Sequence, residues 1–409
     1  MVWELCSYKD RKEDDLSMTV DTMLEKDKEY ILGTYGRFPV AIDHGEGAKV
    51  YTKDNKEYID MTSGIGVNCL GHNNKVLTDA LEAQLHKIIH ACNLYYTEPM
   101  INVAEELVKS TKMSKVFFAN SGAEANEGMI KTARKYSFDK YGEGRDTVIT
   151  LKQSFHGRTV MTLEATGQDK FHQYFFPFTG GFKYVKAGDM EELKNTADEH
   201  TCAVMMEMIQ GEGGVIPLDK EYVKEVEAFC NENDLLLLID EVQTGIGRTG
   251  TLFAYEQFDI KPDIVSMAKG LGGGVPIGGF IVSDKLDGVM NAGSHGSTFG
   301  GNPLSAAAAK AVLSVVNKPE FLEEVKNKGD YIKTKVLSFG SDNIKSVRGM
   351  GLMVGIIVDP YKRGDFVSKL MDKGVLVLTA GKDAIRLLPP LVITYEEIDK
   401  VLDVIKEIL

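Results

Sequence analysis

The chain of 409 residues is short of several things, and each shortage removes a class of function. Its five cysteines (Cys6, Cys69, Cys92, Cys202 and Cys230) are scattered and odd in number. None forms a C-x-x-C pair, so the spacing offers neither a disulfide framework nor a zinc site, and no metal is expected. A basic excess is missing too. Lys and Arg number 47 against 60 Asp and Glu, and the net charge of −13 argues against a nucleic-acid partner. No uninterrupted apolar run approaches the ~20 residues of a membrane span. The opening "MVWELCSYKDRKEDDLSMTV" has no apolar stretch followed by a small-residue cleavage site, so no secretory signal is expected there. What is present is the composition of a globular protein, 43% hydrophobic and 26% charged. Together these features predict a reduced, acidic, cytoplasmic protein with two or three domains and a substantial core.

The start of the chain is highly charged, with a short amphipathic helix expected from Thr19 onward. "AKVYTKDNKEYIDM" reads as two alternating strands about a turn near Asp54-Asn55. From about Asn73, helices alternate with short apolar strands: "KVFFAN", "TVITL", "CAVMMEMI", "LLLLID", "DIVSMA" and "GGFIVS". Helices are expected over Ala123–Tyr141, Tyr222–Asn233 and Pro303–Val316. Continuously apolar strands separated by helices imply a parallel sheet covered on both faces. After about Lys318 a long charged helix leads to "IKSVRGMGLMVGIIV", another helix, two short strands and a last helix from Glu396. The expected fold class is α/β. A large domain spans residues 66–317, and a smaller α+β domain is built from residues 1–65 and 318–409.

Ligands of such sheets bind beyond the carboxyl ends of the strands. After "KVFFAN" comes "SGAEANE", which sets Ser121, Gly122 and Ala123 where a strand turns into a helix. Backbone N–H groups and the helix dipole there suit a phosphate. The plainer alternative is a helix capped by Ser121, with Glu124 completing a capping box. Lys269 follows "DIVSMA" and precedes "GLGGG". Enclosure would lower its pKa toward the neutral amine that attacks carbonyls, although most lysines are solvated surface groups. Asp240 ends the run Leu235–Leu238 and needs a partner, because an isolated buried charge is costly. The protonated ring nitrogen of pyridoxal phosphate is one suitable partner, and a neighbouring Arg or Lys is the other.

"LLLLIDEVQTGIGRTG" imitates a dinucleotide fingerprint through Gly245, Gly247 and Gly250. That fingerprint needs its first glycine at the strand end and its third opening a helix. Here Asp240 to Thr244 intervene, and "TLFAYEQF" is a poor helix start. An NAD-dependent oxidoreductase is therefore the weaker reading.

Five blocks, "NSGAEANE", "SFHGRT", "QGEGGV", "DEVQTGIGRTG" and "HGSTFGGNP", join "MAKGLGGG" in a wider pattern. It resembles the class III, fold-type I pyridoxal-phosphate aminotransferases, in the branch that acts on acetylornithine, ornithine and 4-aminobutyrate. The likeness runs from "TYGRFPV" to "IRLLPPLVIT". "TYGRFPV" and "GEGAKVYTKDNKEYIDMTSGIGVNCLGH" look most like the acetylornithine members.

The resemblance implies a mostly parallel seven-stranded sheet, pyridoxal 5′-phosphate as cofactor and a homodimer with its sites at the interface. It implies Lys269 as covalent anchor and proton carrier, and Asp240 as partner of the ring nitrogen. Val242 would pack against the ring, Gln243 would approach its hydroxyl and Phe155 would stack on the opposite face. Ser121, Gly122 and Ala123 would hold the phosphate. Thr298 would reach the phosphate of the neighbouring subunit, with Ser297 close to the substrate. Arg158 would bind a substrate carboxylate, a task that suits a planar guanidinium. Glu212 and Arg386 would form a charge switch that admits two unlike substrates. His156 is read as structural. One departure from the pattern is Met208, where most relatives carry proline.

The implied reaction is a two-stage transamination with N-acetylornithine as donor and 2-oxoglutarate as acceptor, giving N-acetylglutamate semialdehyde and glutamate for arginine biosynthesis. Ornithine, succinylornithine, 4-aminobutyrate and lysine-derived donors stay open. A catalytically silent binding protein is a further alternative, against which the intact Lys269 and Asp240 speak.

Overall fold

A computed structural model of the chain describes residues 18–409. The expectations for residues 1–17, including Cys6 and the absent signal, lie outside the described residues. Seven strands form the central sheet: β1 (Lys115–Ala119), β2 (Thr147–Leu151), β3 (Phe182–Val185), β4 (Thr201–Glu207), β5 (Leu236–Asp240), β6 (Ile264–Met267) and β7 (Gly278–Val282). Their spatial order is β1-β7-β6-β5-β4-β2-β3. Only β7 runs antiparallel to its neighbours, so the carboxyl ends of the other six share one rim. Every residue of β2, β4, β5, β6 and β7 is buried, which explains their continuously apolar sequences.

The six strands read from the sequence all occur. The seventh, β3, was hidden because it is a half-buried edge strand, "FKYV", without an apolar run. "CAVMMEMI" ends earlier than its pattern suggests: β4 stops at Glu207, and Ile209–Gln210 pairs instead with Ile216–Pro217. The helix Gly122–Tyr141 starts at its Ser121 cap, and the helix Pro303–Val316 has Asn302 as cap and proline in its first turn. The alanine-rich face of the latter packs against the turn that carries Lys269. Among the described residues no helix is long and apolar enough to cross a membrane.

A second layer lies at the chain ends. Strands Ser346–Met350, Met353–Ile357, Ala384–Leu387 and Leu378–Ala380 pair antiparallel in that order. The hairpin expected near Asp54-Asn55 is present, with Lys49–Thr52 antiparallel to Glu57–Asp60. Val375–Leu376 joins Glu57–Asp60 in parallel, so early and late segments share one sheet.

The glycine loop after β5 serves this assembly. A Cβ on Gly247 would lie 2.5 Å from Val316, and one on Gly250 only 2.2 Å from Lys326. Both have positive φ, and no α-helix follows Gly250; the next element is a 3₁₀ turn, Ala254–Phe258. The glycines thus answer to close packing, not to a pyrophosphate. Between them Arg248 is buried, and its guanidinium donates to the carbonyls of Leu352 (3.0 Å) and Pro389 (2.5 Å). No carboxylate pairs with it among the described residues, and desolvation pushes its pKa down to about 10. Arg248→Met should destabilise the protein by roughly 2–4 kcal/mol in denaturant titration, since two buried carbonyls lose a charged donor. A loss below about 0.5 kcal/mol would show that water replaces the guanidinium without cost.

Candidate active site

The loops at the shared strand rim enclose a cavity of about 450 Å³. Its wall takes Asn120–Ala123 from beyond β1, Phe155–Arg158 from beyond β2 and Glu207 with Glu212 from the end of β4. It takes Asp240 from the end of β5, Val242 and Gln243 from the turn after it, and Lys269 from beyond β6.

Asp240 sits on the cavity floor with 4% exposure. Its Oδ2 accepts from His156 Nδ1 (2.8 Å) and Asn126 Nδ2 (2.7 Å), and its Oδ1 accepts from the Val242 N–H (3.0 Å). Among the described residues no arginine or lysine pairs with Asp240, although the plainer reading required one. His156 takes that place and holds the buried carboxylate directly, a contact consistent with a structural role. Its Nε2 is buried without a partner.

Glu207 stands beside Asp240, because parallel β4 and β5 set the two residues opposite each other in register. It accepts from the Phe155 N–H (3.0 Å) and the Gly211 N–H (3.2 Å), tying together the loops of Phe155 and Glu212. Burial pushes its pKa up to about 7, with the neighbouring Asp240 adding to the rise and His156 opposing it.

Lys269 follows β6 with φ +44°, a left-handed conformation that a lysine adopts only when its surroundings impose it. Enclosure pushes its pKa below the ordinary lysine range, against the pull of Glu212 and Asp240. Glu212 pairs with Arg386 Nη1 at 2.6 Å, and the same nitrogen donates to Gln243 Oε1 at 3.2 Å. Burial would raise the Glu212 pKa, but the guanidinium outweighs it and holds the carboxyl below its usual range. Arg386 lies behind Glu212 with 2% exposure, and its Nε has no partner.

At the opposite wall Ser121 Oγ accepts from the Glu124 N–H (3.2 Å), while Glu124 reaches back to the Asn120 N–H (2.9 Å). The helix is therefore capped by its side chain, and the first N–H groups, at Gly122 and Ala123, have no partner inside it. Phosphate cradle and capped helix are compatible. Gly122 has no room for a Cβ, which would meet Val242 at 2.6 Å. An anion cradle, a buried hydrogen-bonded carboxylate and an enclosed amine share one cavity. This donor set fits a phosphorylated pyridine aldehyde.

The cavity wall does not include Ser297 or Thr298. Ser297 Oγ accepts from Asn120 Nδ2 at 3.1 Å, just behind the rim, and Thr298 is exposed on the outer surface.

A family model described as "Aminotransferase class-III" matches residues 31–409. The chain belongs to the class-III aminotransferases. It is 50% identical over 394 residues to an acetylornithine aminotransferase of Haemophilus ducreyi, covering 96% of this chain and 99% of that one. It is 41% identical to one of Methanocaldococcus jannaschii, over 96% and 98% of the two chains. Among solved structures, the ornithine aminotransferase of Toxoplasma gondii superposes with a TM-score of 0.92 at 30% identity, covering 96% and 95%. An N-acetylornithine aminotransferase of Stenotrophomonas maltophilia gives 0.82 at 34%, covering 94% and 97%. A second structure of the Toxoplasma enzyme holds PLP at partial occupancy in its active site.

Sequence reasoning missed Glu207, Asn126 and the direct contact of His156 in this aminotransferase. Glu207 was folded into an overlong strand, and Asn126 is an unremarked letter within "GAEANE". The available signal was register, since a strand ending in Glu beside one ending in Asp puts two acids side by side. A carboxyl whose folded pKa lies above its ordinary 4.5 contributes stability that is complete below 4.5 and lost as pH rises through about 7. Glu207→Gln removes that dependence. Its stability relative to the wild type should therefore climb between those two pH values and stay flat below them, read by urea titration at a series of pH. A difference that does not vary with pH would show that Glu207 is not buried as a proton-holding acid.

Proposed function

We propose that the enzyme transfers the distal amine of N-acetylornithine to 2-oxoglutarate, giving N-acetylglutamate semialdehyde and glutamate. The observation that carries this reading is an enclosed lysine amine sharing one cavity with a buried carboxylate and Arg158, while Arg386 stands behind the wall, paired with the cavity residue Glu212. Arg158 has no acidic partner among the described residues, whereas Arg386 is neutralised by Glu212. The relatives named above support the choice of donor.

Pyridoxal phosphate, when bound, supplies the carbonyl that captures an amine and the ring that takes up electrons from the substrate carbon. Lys269 Nζ would anchor it and would carry the proton between carbon atoms. Asp240, oriented by His156, Asn126 and the Val242 N–H, would pair with a positive ring nitrogen. Val242 and Phe155 would pack against the ring, Gln243 would approach its hydroxyl, and Ser121, Gly122 and Ala123 would hold its phosphate. Arg158 receives the donor's α-carboxylate, so that the distal amine points inward. Glutamate enters by its α-amine with its γ-carboxylate on Arg158, and its α-carboxylate then calls on Arg386 as Glu212 swings aside.

Thr298 and Ser297 serve the site of a second copy in a homodimer. The loop they occupy is tied to Asn93, whose amide donates to the Ser297 and Gly300 carbonyls. Close to these residues in sequence, Leu94 (88% exposed), Tyr96 (95%) and Phe299 (60%) each leave an apolar side chain open to a partner. Residues 66–317 are read as the large domain, and 1–65 with 318–409 as the small one.

Among N-acetylornithine, ornithine and 4-aminobutyrate, the first should give the highest kcat/KM with 2-oxoglutarate as acceptor; a higher value for another donor would overturn the assignment. In Glu212→Ala, Arg386 is left free to attract α-carboxylates in both half-reactions. Single-turnover efficiency should then shift toward glutamate and away from N-acetylornithine. An unchanged ratio would make the pair a static salt bridge.

A further inference from the structure

Arg158 is exposed at the cavity mouth and makes no hydrogen bond or ion pair with the described residues. A long side chain in that state ordinarily samples many rotamers, yet a receptor for a carboxylate needs one. What holds it is aromatic. The guanidinium carbon lies 4.3 Å from the ring centre of Phe171 and 5.5 Å from that of Phe155. The two rings meet edge to face, 5.9 Å apart at 77°. Phe171 is outside the cavity wall and half-buried, so it supports this corner from behind.

Phe171 is itself well fixed. It closes a 3₁₀ turn, Asp169–Phe171, and its N–H donates to the Gln168 carbonyl at 3.0 Å. The Gln168 amide donates in turn to the Ser154 carbonyl at 2.9 Å, one residue before Phe155. The Gly167 N–H donates to Ser154 Oγ at 3.0 Å. The turn and the loop bearing Phe155 and Arg158 are thus one unit. On Phe171 the exposed Lys170 adds a second cation, 4.7 Å from the ring centre.

We propose that Phe171 is a positioning residue that fixes the Arg158 guanidinium and thereby sets the preference for donors that bear a carboxylate. Stacking on an aromatic face restrains a guanidinium while leaving its N–H fork free for a planar carboxylate. A carboxylate partner would restrain it as well but would occupy that fork. The inference rests on Arg158 being the carboxylate receptor, as read above.

The test compares N-acetylornithine with N-acetylputrescine, which has the same amine and acetamide but no carboxylate, in single-turnover donor half-reactions of the holoenzyme. Phe171→Leu keeps an apolar side chain and removes the π face. It should raise the half-saturating concentration of N-acetylornithine by about 3- to 30-fold, with little change in limiting rate. N-acetylputrescine should be unaffected, which also verifies that the variant is folded. Phe171→Tyr, which keeps the ring, should behave as wild type. Equal losses for both donors, or none for either, would overturn the proposal. Arg158→Ala separates the two layers of the reading. If it abolishes the donor preference and Phe171→Leu does not, the Phe171 inference alone is wrong; if it leaves the preference intact, the receptor is elsewhere and both fall.

Discussion

A carboxylate at the inner end of a fully apolar strand keeps its charge only if donors surround it, and the active site is arranged around that need at Asp240. The main donors come from a loop, a helix and its own turn: His156 beyond β2, Asn126 from the helix after β1, and the Val242 N–H. The Asn126 amide also donates to the His156 carbonyl at 2.7 Å, so the supports of Asp240 brace each other. Register then adds Glu207 at its side. Two adjacent buried carboxylates do not both ionise readily, and burial with Asp240 alongside raises the Glu207 pKa to about 7. The cavity floor thus sets two neighbouring acids, one with a raised pKa, in the same cavity as the enclosed Lys269 amine.

Three arginines occupy three electrostatic states around this floor. Arg248 is satisfied by carbonyls and joins the glycine loop to the second layer, gripping Pro389 three residues beyond Arg386. Arg386 is balanced by Glu212 but keeps a buried Nε without a partner, so its hydrogen-bonding capacity is not exhausted. Arg158 rests on aromatic faces with its donors unused. A site that must bind one carboxylate always and another only at times needs this gradation, because two permanently free guanidiniums would not discriminate between donors.

Much of this was legible in the sequence where burial writes itself as an apolar run. The strands leading to Asp240 and Lys269 are such runs, and the residue after each run falls on the rim. The cap at Ser121 and the helix Pro303–Val316 were legible from local chemistry alone. Contacts set by register and by loop crossing were not. The pairing of Asp240 with Glu207 depends on which strands are neighbours, and Phe171 meets Arg158 only because the Gln168 amide ties one loop to another. The edge strand Phe182–Val185 was missed for a related reason, since half-burial leaves no pattern of its own.

The account stands or falls on Lys269 as the covalent anchor of pyridoxal phosphate. The direct measurement is hydride reduction of the holoenzyme, followed by proteolysis and mass mapping of the phosphopyridoxyl group. Enclosure lowers the pKa of Lys269 and leaves its amine more often neutral than surface lysines, so reaction at that position should dominate. The account predicts one stoichiometric adduct on the peptide that contains Lys269. An adduct on a different lysine, with Lys269 unmodified, would contradict it.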